Sequence, residues 1–266
     1  MPERPNILFL MTDQMQGRVL EPEHPCQTPN FDRLAARGLR IRHAYTPNPV
    51  CSPARASLMT GRLPHGHGVL WVDQCVDDDQ GVLRTDLPHW AQHLSDAGYR
   101  TGYFGKWHVE RSNDLRNFGW QVDGSQRGSL WQEHAEAVQS GRAAPRASLR
   151  RTLTTPGYDD SVMYEVNDRP PEQRMLGITT DLALDFLRET EHRTEPWSCF
   201  VSCIEPHDPY VCGEEAVGKY DVDSLELPPS AYDDLAGRPG LYRKAAPVFA
   251  DLSDRERARR WPAITG

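Results

Sequence analysis

A short uncharged apolar run near the start of the chain places the strongest limit on its fold. Residues 6–11 read NILFLM, and polar groups begin at Thr12 and Asp13. An uninterrupted apolar run of strand length is typical of a strand that is buried on both faces of a parallel sheet. The run therefore predicts a central strand covered by helices on both sides, with Asp13 just beyond its carboxyl end.

Predicted helices and strands alternate along the rest of the chain. Thr28, Pro29 and Gly38 supply start and stop signals for a first helix, and Gly98 ends a second one. Residues 109–170 are polar and rich in arginine, so we expect an irregular insertion there. The alternation predicts an α/β fold with three layers, in which a mainly parallel sheet carries helices on both faces within one domain over residues 1–266. The predicted helices cover 28–38, 87–97, 178–188 and 253–260, and the further predicted strands cover 39–45, 99–104 and 197–204.

Composition argues against several kinds of partner. The formal net charge of −8 disfavours nucleic acid and anionic membrane surfaces. No stretch reaches the ~18 apolar residues of a membrane span, and no signal segment precedes the first strand, so we expect a cytoplasmic protein without a membrane partner. The six cysteines include no Cys-x-x-Cys pair, which argues against a zinc site.

Polar side chains follow the predicted strands at the points where these strands end. Asp13, Cys51, His207 and the pair Lys106 and His108 each follow a different predicted strand. Because the carboxyl ends of parallel strands meet at one edge of a sheet, ligands bind there in folds of this class. We therefore expect these side chains to converge on one site.

The segment from Cys51 to Arg55 adds the start of a helix to this site. Pro53 favours a first helical turn, and Gly61 marks the end of the helix. Unpaired backbone N–H groups favour an anion beside Cys51, and Arg55 lies on the same helix face one turn later. A guanidinium group in that position suits sulfate or phosphate. The spacing does not match the Cys-x5-Arg loop of thiol-dependent phosphatases, and a buried cysteine at a strand–helix junction is the structural alternative.

The segment CSPAR over residues 51–55, continued by TGR over 60–62, resembles the signature of type I sulfatases of the alkaline-phosphatase-like superfamily. Other blocks resemble the same family, and together they extend from about residue 5 to 210. The resemblance therefore implies an alkaline-phosphatase-like fold and a sulfuric ester hydrolase. These blocks lie at 5–14, 28–35, 98–101, 105–108 and 205–210.

This resemblance also implies a modified nucleophile and a metal. A separate maturation enzyme would oxidise Cys51 to Cα-formylglycine (3-oxoalanine). One hydroxyl of the hydrated aldehyde would attack the sulfur of a small-molecule sulfate ester beside a divalent metal, and the other would release sulfate. Asp13, Gln14 and the group derived from Cys51 would be metal ligands. Ca²⁺ is the expected ion, with Mg²⁺ and Mn²⁺ as alternatives.

The remaining catalytic roles follow from the same resemblance. Arg55 would hold the modified side chain, and Lys106 and His108 would bind the sulfate oxygens. His207 would join them in the substrate site, and either His108 or His207 would protonate the leaving oxygen.

Two features depart from the family pattern. Gln14 stands where many relatives carry a second aspartate, and the sequence contains no Asp-Asn or Asp-His pair to complete the metal site. Because a hard cation needs about six oxygen ligands, we expect weak metal binding. We also expect a chain shortened at its C-terminus, whose open sheet edge would favour aggregation or a homo-oligomer. Two other functions stay open: hydrolysis of phosphonate monoesters or phosphodiesters, and a role as an inactive fragment or pseudoenzyme that only binds.

Overall fold

A computed structural model describes residues 4–77, 81–83, 88–112, 114–154 and 159–258 of the chain. The chain forms two compact units, each assembled from separate segments. Unit 1 comprises residues 1–13, 41–142 and 171–204, and unit 2 comprises residues 14–40, 143–170 and 205–266. Because the segments of both units interleave along the chain, the single domain expected over residues 1–266 stays a prediction.

The described residues form seven strands and eight α-helices. The strands are β1 (Ile7–Met11), β2 (Arg100–Gly105), β3 (Val122–Ser125), β4 (Ala147–Leu153), β5 (Ser161–Asn167), β6 (Trp197–Ser202) and β7 (Tyr210–Gly213). The helices are α1 (Pro29–Ala35), α2 (Cys51–Thr60), α3 (Pro64–His67), α4 (Trp90–Asp96), α5 (Ser129–Gln139), α6 (Met175–Thr190), α7 (Gly240–Ala245) and α8 (Asp254–Ala258). None of these helices has both the length and the apolar character needed to cross a bilayer.

Unit 1 is built around a sheet of four parallel strands in the order β1-β6-β2-β3. Strand β2 lies inside the sheet, and its side chains alternate between the two faces. Tyr103 packs on the side of α2 and α4, whereas Phe104 packs on the side of α5 and α6. Helices therefore cover both faces of this sheet, which confirms the three-layer α/β prediction.

Strand β1 forms at the predicted residues, but the prediction of a central strand covered on both faces is wrong. It lies at the end of the strand order, and Leu8 and Leu10 are 49% and 53% exposed. Phe9 faces the opposite way and stacks on Phe200 of β6. The side of Leu8 and Leu10 stays open because α6 packs chiefly against β2 and β6. An apolar run thus located the strand without locating its neighbours.

Residues 109–170 are more regular than predicted. Strand β3 pairs with β2, helix α5 packs against β3, and Trp120 and Trp131 are buried. Although this region is polar on average, it contains a few large aromatic side chains, and each of them buries much apolar surface. Residues 39–45, by contrast, form no strand, and Leu39 is 88% exposed. Alternation alone does not make a strand where no neighbouring strand pairs with it.

Unit 2 contains a three-stranded sheet in which β4 and β5 are antiparallel and β5 and β7 are parallel. Its small core includes Met163, Tyr164 and Leu252. Helix α1 begins as predicted after Thr28, although it ends before Gly38, and α8 lies within the predicted 253–260. Residue 87 and residues 259–260, which bound two predicted helices, lie outside the described residues.

Candidate active site

Helix α2 places Cys51 in its first turn, as predicted. Val50 is the N-cap in an extended conformation, and Gly61 ends the helix with a φ of 68°, in the left-handed region that favours glycine. The helix packs against the sheet, so Arg55, one turn after Cys51, is only 2% exposed. Cys51 remains partly exposed, which leaves its side chain accessible at the helix start.

Asp13 lies directly beyond β1 and meets two cationic side chains. Its Oδ2 lies 3.2 Å from Arg55 Nη2 and 2.5 Å from Lys106 Nζ. The Sγ of Cys51 is 3.9 Å from both Asp13 oxygens and 3.9 Å from Lys106 Nζ. Four of the predicted site residues are therefore confirmed as neighbours within unit 1.

The ends of β2 and β6 hold this cluster in place. Arg55 Nη1 donates to the carbonyl of Lys106 at 2.9 Å and to Ser202 Oγ at 2.8 Å. Gly105 has a φ of 93°, and a Cβ on it would come within 2.2 Å of the Ser202 carbonyl. Only glycine allows the two strand ends to approach this closely. Tyr103 donates to the Lys106 carbonyl at 2.6 Å, and burial raises the pKa of Tyr103, which keeps it a donor.

The electrostatic balance of the cluster favours an anion. Arg55 and Lys106 together bring two positive charges to one carboxylate, and all three side chains are almost fully buried. Buried charges interact strongly because little water screens them. The N–H groups of the first turn of α2 add partial positive charge beside Cys51.

His108 follows Lys106 closely in the chain, but its ring is directed to other residues. Its Nε2 lies 2.8 Å from Gln74 Oε1 and 2.9 Å from Asp73 Oδ1. Its backbone has a φ of 46°, in the left-handed region. Burial lowers the pKa of His108, the charge of Lys106 lowers it further, and Asp73 opposes both effects.

Gln14 and His207 belong to unit 2, so the structure of unit 1 does not test their predicted roles. Gln14 is exposed, has a φ of 63°, and lines a cavity of about 790 Å³ within unit 2. The His207 ring contacts the backbone carbonyl of Asp208. Their roles as metal ligand and substrate-binding residue stay predictions.

The residues of unit 1 do not fit a complete site for a divalent metal. Of the three predicted ligands, unit 1 supplies only Asp13 and Cys51, and Asp13 is already paired with Arg55 and Lys106. Ca²⁺ and Mg²⁺ need about six oxygen ligands, most of them carboxylates, carbonyls or waters. These two residues therefore do not make a metal centre by themselves, and their roles as metal ligands stay predictions.

Sequence reasoning missed three residues of the site. Ser202 is the last residue of β6, so the strand-end rule that selected Asp13 would have found it. Asp73 and Gln74 lie in a short 3₁₀ turn, Asp73–Cys75, which carries no sequence signal that connects it with His108. Only the fold brings that turn to the end of β2.

Comparison with known proteins assigns the family. The family model described as Sulfatase matches residues 5–235 of the chain. The chain is 32% identical over 248 residues to the uncharacterized sulfatase YidJ of Escherichia coli K12, covering 91% of this chain and 46% of that protein. It is 31% identical to the choline-sulfatase of Rhizobium meliloti, covering 78% of this chain and 39% of that protein. The chain thus spans less than half the length of these two relatives.

A solved structure agrees with the fold. The phosphonate monoester hydrolase of Silicibacter pomeroyi superposes with a TM-score of 0.70 at 22% sequence identity, covering 98% of this chain and 56% of that one. At that identity the likeness supports the α/β architecture alone. The family model over residues 5–235 and the two relatives above show that the chain belongs to the sulfatase family.

Proposed function

We propose that this chain carries the nucleophile and anion-binding half of a sulfate ester hydrolase. The observation that carries the proposal is the convergence of Arg55 and Lys106 beside Cys51 at the start of α2. A sulfate monoester has a tetrahedral anionic head, and a buried pair of cations with helix N–H groups suits that shape and charge.

In this proposal the chain's own residues bind and orient the ester. Lys106 Nζ donates to a sulfate oxygen and neutralises charge that builds up as the S–O bond breaks. Arg55 is anchored by the Lys106 carbonyl and Ser202, so its guanidinium stays fixed beside Asp13. His108 is the acid that supplies a proton to the leaving alcohol, and His207 remains the alternative.

The nucleophile requires conversion of Cys51 to formylglycine by a maturation enzyme, which is the partner that we propose for this chain. When present, the hydrated aldehyde supplies an oxygen nucleophile and a second hydroxyl that releases sulfate. The partial exposure of Cys51 in the folded chain is compatible with a reactive position at the site. Metal is expected to complete the site in the whole protein, with Asp13 as one ligand and Ca²⁺ as the expected ion.

Mass spectrometry and turnover test this function together. After coexpression with a maturation enzyme, the peptide that contains Cys51 should show the mass loss of thiol-to-aldehyde conversion. The converted whole protein should hydrolyse 4-nitrophenyl sulfate, and Cys51→Ala and Lys106→Ala should each lose almost all of that activity. Complete conversion with no hydrolysis above the Cys51→Ala background would refute the proposal.

Phosphonate monoester hydrolysis remains the second candidate because the CSPAR segment and the Asp13–Gln14 turn do not distinguish the two substrates. The test is a comparison of kcat/KM for 4-nitrophenyl sulfate and 4-nitrophenyl phenylphosphonate on one preparation. A preference for sulfate supports the first proposal. A preference for the phosphonate would support phosphonate monoester hydrolysis by the same residues.

A further inference from the structure

Asp73 is a buried carboxylate that the proposed chemistry has not used. Its side chain is 4% exposed, and its Oδ1 has no hydrogen-bond partner with good geometry among the described residues. A buried carboxylate without compensation is costly, so its neighbours decide what it does. Nε2 of His108 lies 2.9 Å from that oxygen.

The turn that carries Asp73 is fixed from outside. Arg111 donates to the backbone carbonyl of Asp73 at 2.6 and 3.1 Å and also to the carbonyl of Val76. Arg127 Nη1 lies 3.6 Å from Asp73 Oδ2, but its side chain is 58% exposed, so water weakens its charge. These contacts hold Asp73 in place and leave its Oδ1 directed at His108.

The two acceptors beside Nε2 determine the tautomer of His108. Gln74 Oε1 lies 2.8 Å and the carboxylate oxygen Oδ1 of Asp73 2.9 Å from Nε2, and neither oxygen has a proton to give, so Nε2 must carry the proton. The other ring nitrogen, Nδ1, is buried and has no partner among the described residues. Because Nε2 is held by the two acceptors, a proton that His108 gives to a ligand must leave from Nδ1.

We propose that Asp73 is a positioning residue, which holds the His108 imidazole with Nε2–H toward the Asp73–Gln74 pair and stabilises the ring once Nδ1 has taken up a second proton from solvent, the proton that His108 then gives to the leaving alcohol. The inference rests on the proposed hydrolase function for its role in catalysis, but the orientation of the ring does not. A carboxylate on the far side of an imidazole fixes the tautomer and stabilises the imidazolium that proton donation requires.

The charges around His108 explain why such a residue is needed. Burial, Lys106 and Arg55 all lower the pKa of His108, and Asp73 is the group that raises it. Without Asp73, the pKa of His108 would be lowered further, because no other group in this balance opposes burial and the two cations. Asp73 therefore favours the imidazolium form that proton donation requires.

Nuclear magnetic resonance of the histidine rings tests the orientation without any turnover. In the wild-type chain, with the His108 signals assigned by loss in His108→Gln, we expect the Nε2–H tautomer. In Asp73→Asn we expect a lower pKa for His108 and a mixture of tautomers. Asp123→Asn is the matched control, because Asp123 is a partly buried carboxylate that binds Leu115 N and Ser125 N instead. An unchanged His108 tautomer and titration in Asp73→Asn would overturn the inference.

Turnover by the converted whole protein tests the catalytic part. Asp73→Asn should lower kcat by about tenfold to a hundredfold, inside the range that general acid catalysis contributes, with KM changed less than twofold. The loss should be larger for an alkyl sulfate than for 4-nitrophenyl sulfate, since a poor leaving group needs the proton more. Equal losses for both substrates would contradict proton delivery through His108.

Failure of the proposed function and failure of the inference on Asp73 can be told apart. If the wild-type protein hydrolyses no sulfate ester, the function fails while the ring measurements still decide the orientation. If Asp73→Asn does not fold by circular dichroism, Asp73→Glu serves instead, because it keeps the charge and moves it by one methylene. That variant should retain the Nε2–H tautomer and most of the kcat of the wild type. Loss of the tautomer preference with unchanged kcat would count against the proposal.

Discussion

Helices α1 and α2 both carry a proline in their first turn, yet their side chains have different surroundings. None of the seven residues of α1 is buried, and Leu34 is 63% exposed. Six of the ten residues of α2 are buried, Arg55 among them. The comparison shows that local signals place a helix in the chain, whereas contact with a sheet decides whether its side chains become core and site.

The largest expected difference between the two helices concerns their arginines. Arg55→Leu should lower the free energy of unfolding by about 3–5 kcal/mol, because it removes one partner of a buried ion pair and the donor to Ser202. Arg33→Leu in α1 is the matched control and should stay within about 0.5 kcal/mol. Urea unfolding followed by circular dichroism measures both. Similar losses of unfolding free energy in the two variants would contradict the predicted difference between the two helices.

The start of helix α4 extends the comparison to pH. His89, its N-cap residue, is 1% exposed and stacks on Phe118, and burial lowers the pKa of His89 to about 4. The unfolded chain therefore binds a proton more readily than the folded chain between about pH 6.5 and pH 4. The contribution of the neutral His89 ring to the free energy of unfolding is complete above pH 6.5. Up to about 3 kcal/mol of it is lost as the pH falls to 4.

Urea titrations at several pH values check this expectation. His89→Phe keeps an aromatic ring against Phe118 and cannot titrate, so its stability should fall less between pH 6.5 and pH 4 than that of the wild type. If the two proteins lose stability in parallel over this range, His89 is not the group responsible.

A hydroxyl in α2 and another just before α1 give a smaller contrast. Ser57 Oγ lies 2.9 Å from Nε2 of the buried His67, whose Nδ1 accepts from Val69 N at 3.1 Å. Ser57→Ala should lower the free energy of unfolding by about 1–2 kcal/mol, because it removes a buried hydrogen bond to His67. Thr28→Ala at the start of α1 removes an exposed bond to Asp32 and should cost less than about 0.5 kcal/mol. Thermal unfolding measures the stability of both variants. A larger loss in Thr28→Ala than in Ser57→Ala would contradict this prediction.

The smallest expected effect concerns the apolar side chains of α1. Leu34→Ala should change the free energy of unfolding by less than about 0.5 kcal/mol, since Leu34 is 63% exposed and little apolar surface is lost from the core. Urea unfolding again gives the value. A loss near that of a core leucine, about 2–5 kcal/mol, would mean that α1 packs more tightly than this structure shows.

Much of the candidate active site could be predicted from the sequence because its residues follow recognisable elements. Asp13 and Lys106 lie just beyond strands, and Cys51 and Arg55 lie in a helix with clear start and stop signals. Such signals act over a few residues, so one sequence suffices to locate them. The convergence of these four side chains then follows from the edge rule of parallel sheets.

Other parts could not be predicted because they depend on contacts between distant segments. The pairing of β3 with β2 was hidden in a polar region, and the open face of Leu8 and Leu10 depends on where α6 packs. Asp73 reaches His108 only because Arg111 and the sheet hold the intervening turn.

By itself, the sequence determined which residues become strands and helices around the site and that a cysteine stands at the start of a helix. Apolar runs, prolines and glycines restrict the backbone locally, whatever the rest of the chain does. Only the tertiary structure decided which charges share a buried space. Arg55, Lys106 and Asp13 come from segments far apart in the chain, and packing of the sheet excludes the water that would otherwise screen them.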